Sequence, residues 1–271
     1  MDNKQYQAIR SWFVNYAKSF YESGAETRAA VRFKKEHTGR VCSNIVRIGR
    51  SIDLQDGDLL IAETIALLHD VGRFKQYAVY RTFKDHQSEN HALLGLRELE
   101  RAGILSVLTP DEQVIVTHAI EYHNLRDLPV GMPERLLLFT RLIRDADKLD
   151  ILKLVSADCA HRGKAPDPLA GFDLPNTPGY SAVLAQNLLR YQPCNYAAVT
   201  NVNDRKLLHL SWVYDINFPY TLSEIARNGY IETIVRSLPD TEEIRSVYDH
   251  LKSYLARRLV QPGVNCQNAR S

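Results

Sequence analysis

Apolar side chains return every three or four positions along most of this chain, and that spacing lays one apolar face along each segment of an α-helix. In residues 3–22 the stripe is Ile9, Phe13, Tyr16, Ala17 and Phe20; in residues 26–51 it is Ala30, Phe33, His37, Val41, Ile45 and Ile48. The turn DLQDGD (53–58) follows, with Asp58 placed to cap the run LLIAETIALLHDVG and Gly72 placed to end it. Residues 73–87 are less regular and rich in aromatic and basic side chains. Further helices are expected from Ser88 to Ala102, from Pro110 through DEQVIVTHAIEYHN, over 134–160 after the breaks at Pro129, Gly131 and Pro133, and across 181–262. The stretch 163–180 holds four prolines and reads as a long loop. The expected class is all-α, with no internal repeat.

With 271 residues the chain can bury a substantial core without disulfides. Its 34 basic and 32 acidic residues leave a net charge of +2, so no generic DNA-binding surface is expected. Cys42, Cys159, Cys194 and Cys266 form no CxxC pair, which leaves zinc-ribbon and thioredoxin-like readings without support. Reduced thiols in a cytoplasmic protein are the simpler expectation. The start MDNKQYQAIRSWF has no apolar signal core, and no run approaches the ~18 apolar residues of a membrane span.

Six of the nine histidines fall between His37 and His123. His69-Asp70 closes an apolar helix, where a buried carboxylate is expensive unless something compensates it. His37 lies on the apolar stripe of its helix, and Asp147 lies in RDADKLD within another apolar segment. Buried polar groups need partners, and one divalent cation would satisfy all four. Taken alone, His69-Asp70 is more readily helix-end chemistry than a ligand pair.

The order H…HD…D, carried by His37, His69-Asp70 and Asp147 in the strings ALLHDVGRF and RDADKLD, resembles the HD-domain superfamily of metal-dependent phosphohydrolases over about residues 30–155. The resemblance implies an all-helical core and a metal held by His37, His69, Asp70 and Asp147. His91 in HALLG and His123 in AIEYHN resemble the extra ligands of binuclear, six-ligand branches, in which the aspartate of the HD pair bridges two ions. The GYP signature is missing, since NLRDLPVG follows His123. The glutamate-aspartate pair of alarmone hydrolases is missing too, since Val71-Gly72-Arg73-Phe74 follows Asp70.

The expected function is hydrolysis of a small phosphomonoester or phosphodiester, a nucleotide among the candidates, by metal-activated hydroxide at Asp70. Arg73 and Lys148 would neutralise the phosphate; Arg144 is a further candidate for that contact. The cofactors would be two divalent ions drawn from Fe, Mn, Zn and Mg. A di-iron oxygenase and a non-catalytic nucleotide-binding module are the rival readings. His118 is read as a core or supporting residue, His86 as a solvated loop residue, and Tyr77, Tyr80 and Phe83 as pocket walls or core. The expected organisation is a metal-binding core over 1–160, a Pro-rich loop over 161–180, a helical extension packing on the core over 181–262, and a tail over 263–271. A homodimer interface or a cap over the pocket are the two roles open to the extension.

Overall fold

The computed structural model describes residues 1–160 and 174–260. Among them every regular element is helical. Two compact units divide the chain between Asp147 and Lys148. The first carries α1 (Asn3–Ser19), α2 (Ala25–Arg50), α3 (Asp56–Leu68), α4 (Gly72–Tyr80), α5 (His91–Ala102), α6 (Pro110–Tyr122) and the first half of α7 (Glu134–Ala160). The second carries the rest of α7, then α8 (Ala182–Leu189), α9 (Val202–Ser211), α10 (Pro219–Arg227), α11 (Tyr230–Val235) and α12 (Glu242–Val260). The expected division at residue 160 would fall at the end of α7. Residues 161–173 of the Pro-rich loop and the tail 263–271 lie outside the described residues.

In the first unit α2 lies along α3, and α3 packs in turn on α1 and α6. The core buries Ile9, Phe13, Val41 and Ile45, which the amphipathic pattern singles out, together with Ile65, Leu68 and Phe139. Asp2 and Gln5 form a capping box on α1, and Thr109 and Glu112 form one on α6 with Pro110 at its first turn.

Three local expectations are corrected. Asp58 is not a cap: α3 begins at Asp56, and Asp58 pairs with Arg135 on α7 at 2.5 Å. Residues 73–87 are more regular than their composition suggests, holding α4 and a 3-10 turn at Asp85–Gln87. Gly72 does not end α3 in a left-handed cap; it opens α4. Its role is close approach. A Cβ at Gly72 would lie 2.2 Å from the His91 carbonyl oxygen and 2.6 Å from the Gly95 backbone nitrogen. A Cβ at Gly95 would meet Gly72 N and Val71 Cγ1, each at 3.2 Å. Two bare backbones thus touch where α4 crosses α5, and α5 begins at His91, with Asn90 as its N-cap.

In the second unit Leu184, Leu188, Leu207, Leu210, Leu222, Ile225 and Leu251 share one core. The described end of the Pro-rich loop is fastened to the start of α9. Asn203 donates to the carbonyls of Thr177 and Gly179 at 3.2 and 3.1 Å. The buried Asp204 carboxylate accepts from Ser181 N, Ser181 Oγ, Thr200 N and Thr200 Oγ1 at 2.6–2.9 Å. Burial alone would raise its pKa, but the bonds from Ser181 and Thr200 outweigh that and hold it below the ordinary carboxylate value.

Gly72→Ala is expected to lose on the order of 2–3 kcal/mol through the backbone clash. Gly95→Ala should be close to neutral, because a helix-propensity gain of about 1 kcal/mol offsets its softer contact. Urea denaturation of both variants checks the ordering. Asp204→Asn should cost about 1–3 kcal/mol at neutral pH. A depressed pKa gives stability that is present above the unfolded value and fades as pH falls toward the folded one. The gap between wild type and Asp204→Asn should therefore narrow below about pH 4 in acid denaturation series.

Candidate metal centre

His37 faces the core from the middle of α2. His69 follows the last residue of α3, Asp70 follows His69, His91 is the first residue of α5, and His123 follows the last residue of α6. Asp147 lies in α7. The four histidines and Asp70 are buried.

The chain brings these six residues together. His37 Nε2 lies 3.1 Å from Asp147 Oδ1 and 3.6 Å from Asp70 Oδ2. His69 Nε2 lies 3.7 Å from Asp70 Oδ2 and 3.8 Å from Asp147 Oδ1. On the other side of the same carboxylate, His91 Nε2 lies 3.4 Å from Asp70 Oδ1 and 3.1 Å from His123 Nε2. Three triads have ligand atoms all within 4.8 Å of one another: His37-His69-Asp70, His69-His123-Asp147 and Asp70-His91-His123.

Helix ends set the state of the rings. The last turn of a helix leaves carbonyls unpaired. His69 Nδ1 donates to Ala66 O at 2.7 Å and His123 Nδ1 to Ile120 O at 2.6 Å. A carbonyl only accepts, so the proton of each ring is on Nδ1, and a neutral ring then presents a bare Nε2. His91 Nδ1 is held in the same way by Asp85 Oδ2 at 2.7 Å. Burial keeps His69 and His91 below the usual imidazole pKa and takes His123 down to about 3, with the neighbouring His91 and His69 adding to the fall. Buried His69 Nε2 has no hydrogen-bond partner. The lone pairs of His91 and His123 converge at 3.1 Å, a conflict that a shared cation removes.

The carboxylates stay ionised. Burial would raise Asp70, but the Lys34 ammonium 2.8 Å from Oδ2, with His69, Arg73 and His91, holds it well below the carboxylate range. Burial is likewise outweighed at Asp147 by its contact with His37. Neutral imidazoles around ionised carboxylates form a donor set of the kind that zinc, iron and manganese take. The residues present therefore fit a divalent metal.

The charged candidates fare differently. Arg73 Nη1 donates to Gln76 Oε1, the Phe83 carbonyl and Asp85 Oδ1, while its Nε lies 3.5 Å from Asp70 Oδ1. Lys148 belongs to the second unit and pairs with Asp215 at 2.7 Å. The Arg144 guanidinium donates to the carbonyls of Tyr122, His123, Leu125 and Arg126, which caps α6 just where His123 leaves it. His118 packs at a tilt against Tyr122 and its Nδ1 donates to Val114 O, half-buried and outside the three triads. His86 is exposed. Phe83 packs on Tyr77, and Tyr80 is exposed with its hydroxyl on Glu89.

Sequence reasoning missed Lys34, Asp85 and Gln76. Lys34 had a signal, since it lies one turn before His37 on the same helix face. Asp85 had none, because the turn at Asp85–Gln87 carries no periodicity. Asp85 orients His91 and anchors Arg73, and Gln76 Nε2 donates to Asp85 Oδ1 at 2.9 Å. Asp85→Asn is expected to weaken metal binding about 10–100-fold while leaving the fold intact. Competition with a chromogenic chelator measures the change, and an unaltered affinity would remove the orienting role from Asp85.

Residues 35–152 match the family model of the HD domain. No curated protein and no solved structure matches the chain significantly. His37, His69, Asp70, His91, His123 and Asp147 all fall within the matched stretch. The segment that gathers this metal-competent cluster, residues 35–152, thus belongs to the HD-domain superfamily, whose members are in general metal-dependent hydrolases.

Proposed function

We propose that this protein is a metal-dependent phosphohydrolase acting on a small phosphomonoester or phosphodiester, with nucleotides as the leading class. The observation that carries the reading is the two-sided use of Asp70. Its Oδ2 faces His37 and His69 at 3.6 and 3.7 Å, and its Oδ1 faces His91 at 3.4 Å. One carboxylate between two sets of imidazoles suits a two-metal hydrolytic site. In this reading His37, His69, Asp70 and Asp147 hold one ion, and Asp70, His91 and His123 hold the other.

Bound divalent ions supply Lewis acidity toward a phosphoryl oxygen and a water that is acidic near neutral pH. The protein supplies the rest. Buried Nε2 atoms are pre-aimed by their Nδ1 bonds, Asp85 holds His91 in place, and Arg144 fixes the carbonyl end from which His123 projects. Arg73 remains a phosphate-neutralising group in this proposal, kept beside Asp70 by its bond to Asp85. Four histidines against two carboxylates make the site nitrogen-rich, which favours iron, zinc or manganese over magnesium. The same composition supports the di-iron oxygenase as the second reading.

Metal quantitation on freshly purified protein, followed by a phosphatase and phosphodiesterase screen, tests the proposal. Asp70→Ala is expected to lose both metals and all hydrolysis, and to lower the melting temperature, because metal binding is linked to folding. A variant with full metal content and wild-type turnover would overturn it. A wild-type protein with two irons, visible absorbance and oxygen uptake but no phosphate release would decide for the oxygenase.

A further inference from the structure

Lys34 lies on α2, one turn before His37, and its ammonium sits 2.8 Å from Asp70 Oδ2. That oxygen also faces His37 Nε2 and His69 Nε2. Ammonium and metal would therefore draw on the same carboxylate oxygen. Like charges repel most strongly where water is excluded, and the Lys34 side chain is only 14% exposed. A dication held by Oδ2 makes this the wrong place for a lysine charge.

The lysine has somewhere to go. Its charge is a compact point on a flexible four-carbon stem, unlike a guanidinium locked in a fork. The Phe83 ring centroid is 5.4 Å from Nζ and offers a cation-π face on the rim of the same site. The neighbouring guanidinium groups are held more firmly. Arg73 is tied to Gln76, Asp85 and the Phe83 carbonyl, and Arg144 to the carbonyls that end α6.

We propose that Lys34 exchanges partners: it yields Asp70 Oδ2 to the metal and receives a non-bridging oxygen of the substrate's phosphate. This rests on the phosphohydrolase reading and adds to it a phosphate-binding residue that lies just outside the matched HD segment. One side chain then has two opposed effects, opposing metal binding and favouring phosphate binding.

That opposition is the test. Manganese affinity is measured on chelator-treated, full-length wild type, Lys34→Met, Lys34→Gln and Lys34→Arg. Binding of inorganic phosphate is then measured by calorimetry on the manganese-loaded proteins. Lys34→Met and Lys34→Gln are expected to bind manganese several-fold tighter than wild type. They should bind phosphate on the order of tenfold more weakly, the share of one charge-assisted hydrogen bond. Lys34→Arg should recover most of the phosphate affinity. Two results would overturn the proposal: phosphate affinity in the neutral variants equal to wild type, or manganese affinity falling in step with phosphate affinity, which would mean that Lys34 only orients Asp70. Lys34→Gln keeps the polar stem and decides the matter where Lys34→Met does not fold. Wild-type protein that binds manganese but no phosphate is a separate outcome: it overturns the phosphohydrolase reading and this proposal with it.

Discussion

A single buried carboxylate, Asp70, organises the first unit. An ionised group removed from water is tolerated only when other charges and donors replace the solvent. Asp70 is given Lys34, Arg73 and the rings of His37, His69 and His91, which arrive from α2, the α3–α4 turn and the start of α5. These segments must meet at one point, and that requirement governs how the helices cross. It also explains why polar residues occupy otherwise apolar faces of α2 and α7.

The positions of the ligands along their helices have a common cause. His69 and His123 each follow the last residue of a helix, and each lends its Nδ1 proton to a carbonyl of the final turn. The helix end gains a donor for an acceptor that would otherwise go unpaired, and the ring gains a fixed tautomer. Structural need and ligand preparation are met by the same hydrogen bond. His91 stands at the opposite kind of end, the start of a helix, whose unpaired backbone groups are N–H donors, and a side chain, Asp85, does the equivalent work.

That contrast accounts for what could be read from the linear chain. Long amphipathic stripes such as Ile9–Phe13–Ala17 and Val41–Ile45–Ile48 gave the helices and the core, because burial repeats with the helical period. His37 and Asp147 stood out because they broke such stripes. Asp85 was invisible, since a short turn has no period for a polar residue to break, and the importance of Gln76 in α4 comes from partners up to 13 positions away, such as Glu89. Gly72 was legible as unusual but not for its reason: local turn chemistry and close helix approach both favour glycine, and only the packing of α4 on α5 separates them. The roles of Arg144 and Lys34 likewise depend on which acceptors lie within reach, which spacing along α7 or α2 does not state.

The contact between Gly72 and Gly95 has a consequence for how this centre can vary. Two main chains in direct contact have no side chain between them whose size could be adjusted. The offset between Asp70, two residues before Gly72, and His91, four residues before Gly95, is therefore dimensioned by the polypeptide itself. Repacking the apolar residues of α4 and α5 leaves that dimension alone, so the surrounding core can drift in composition without retuning the spacing of the ligands. The same rigidity narrows the gradual route to a wider or narrower site: with no room for a methyl group on Gly72, a different spacing on that side demands a different way of bringing the two helices together.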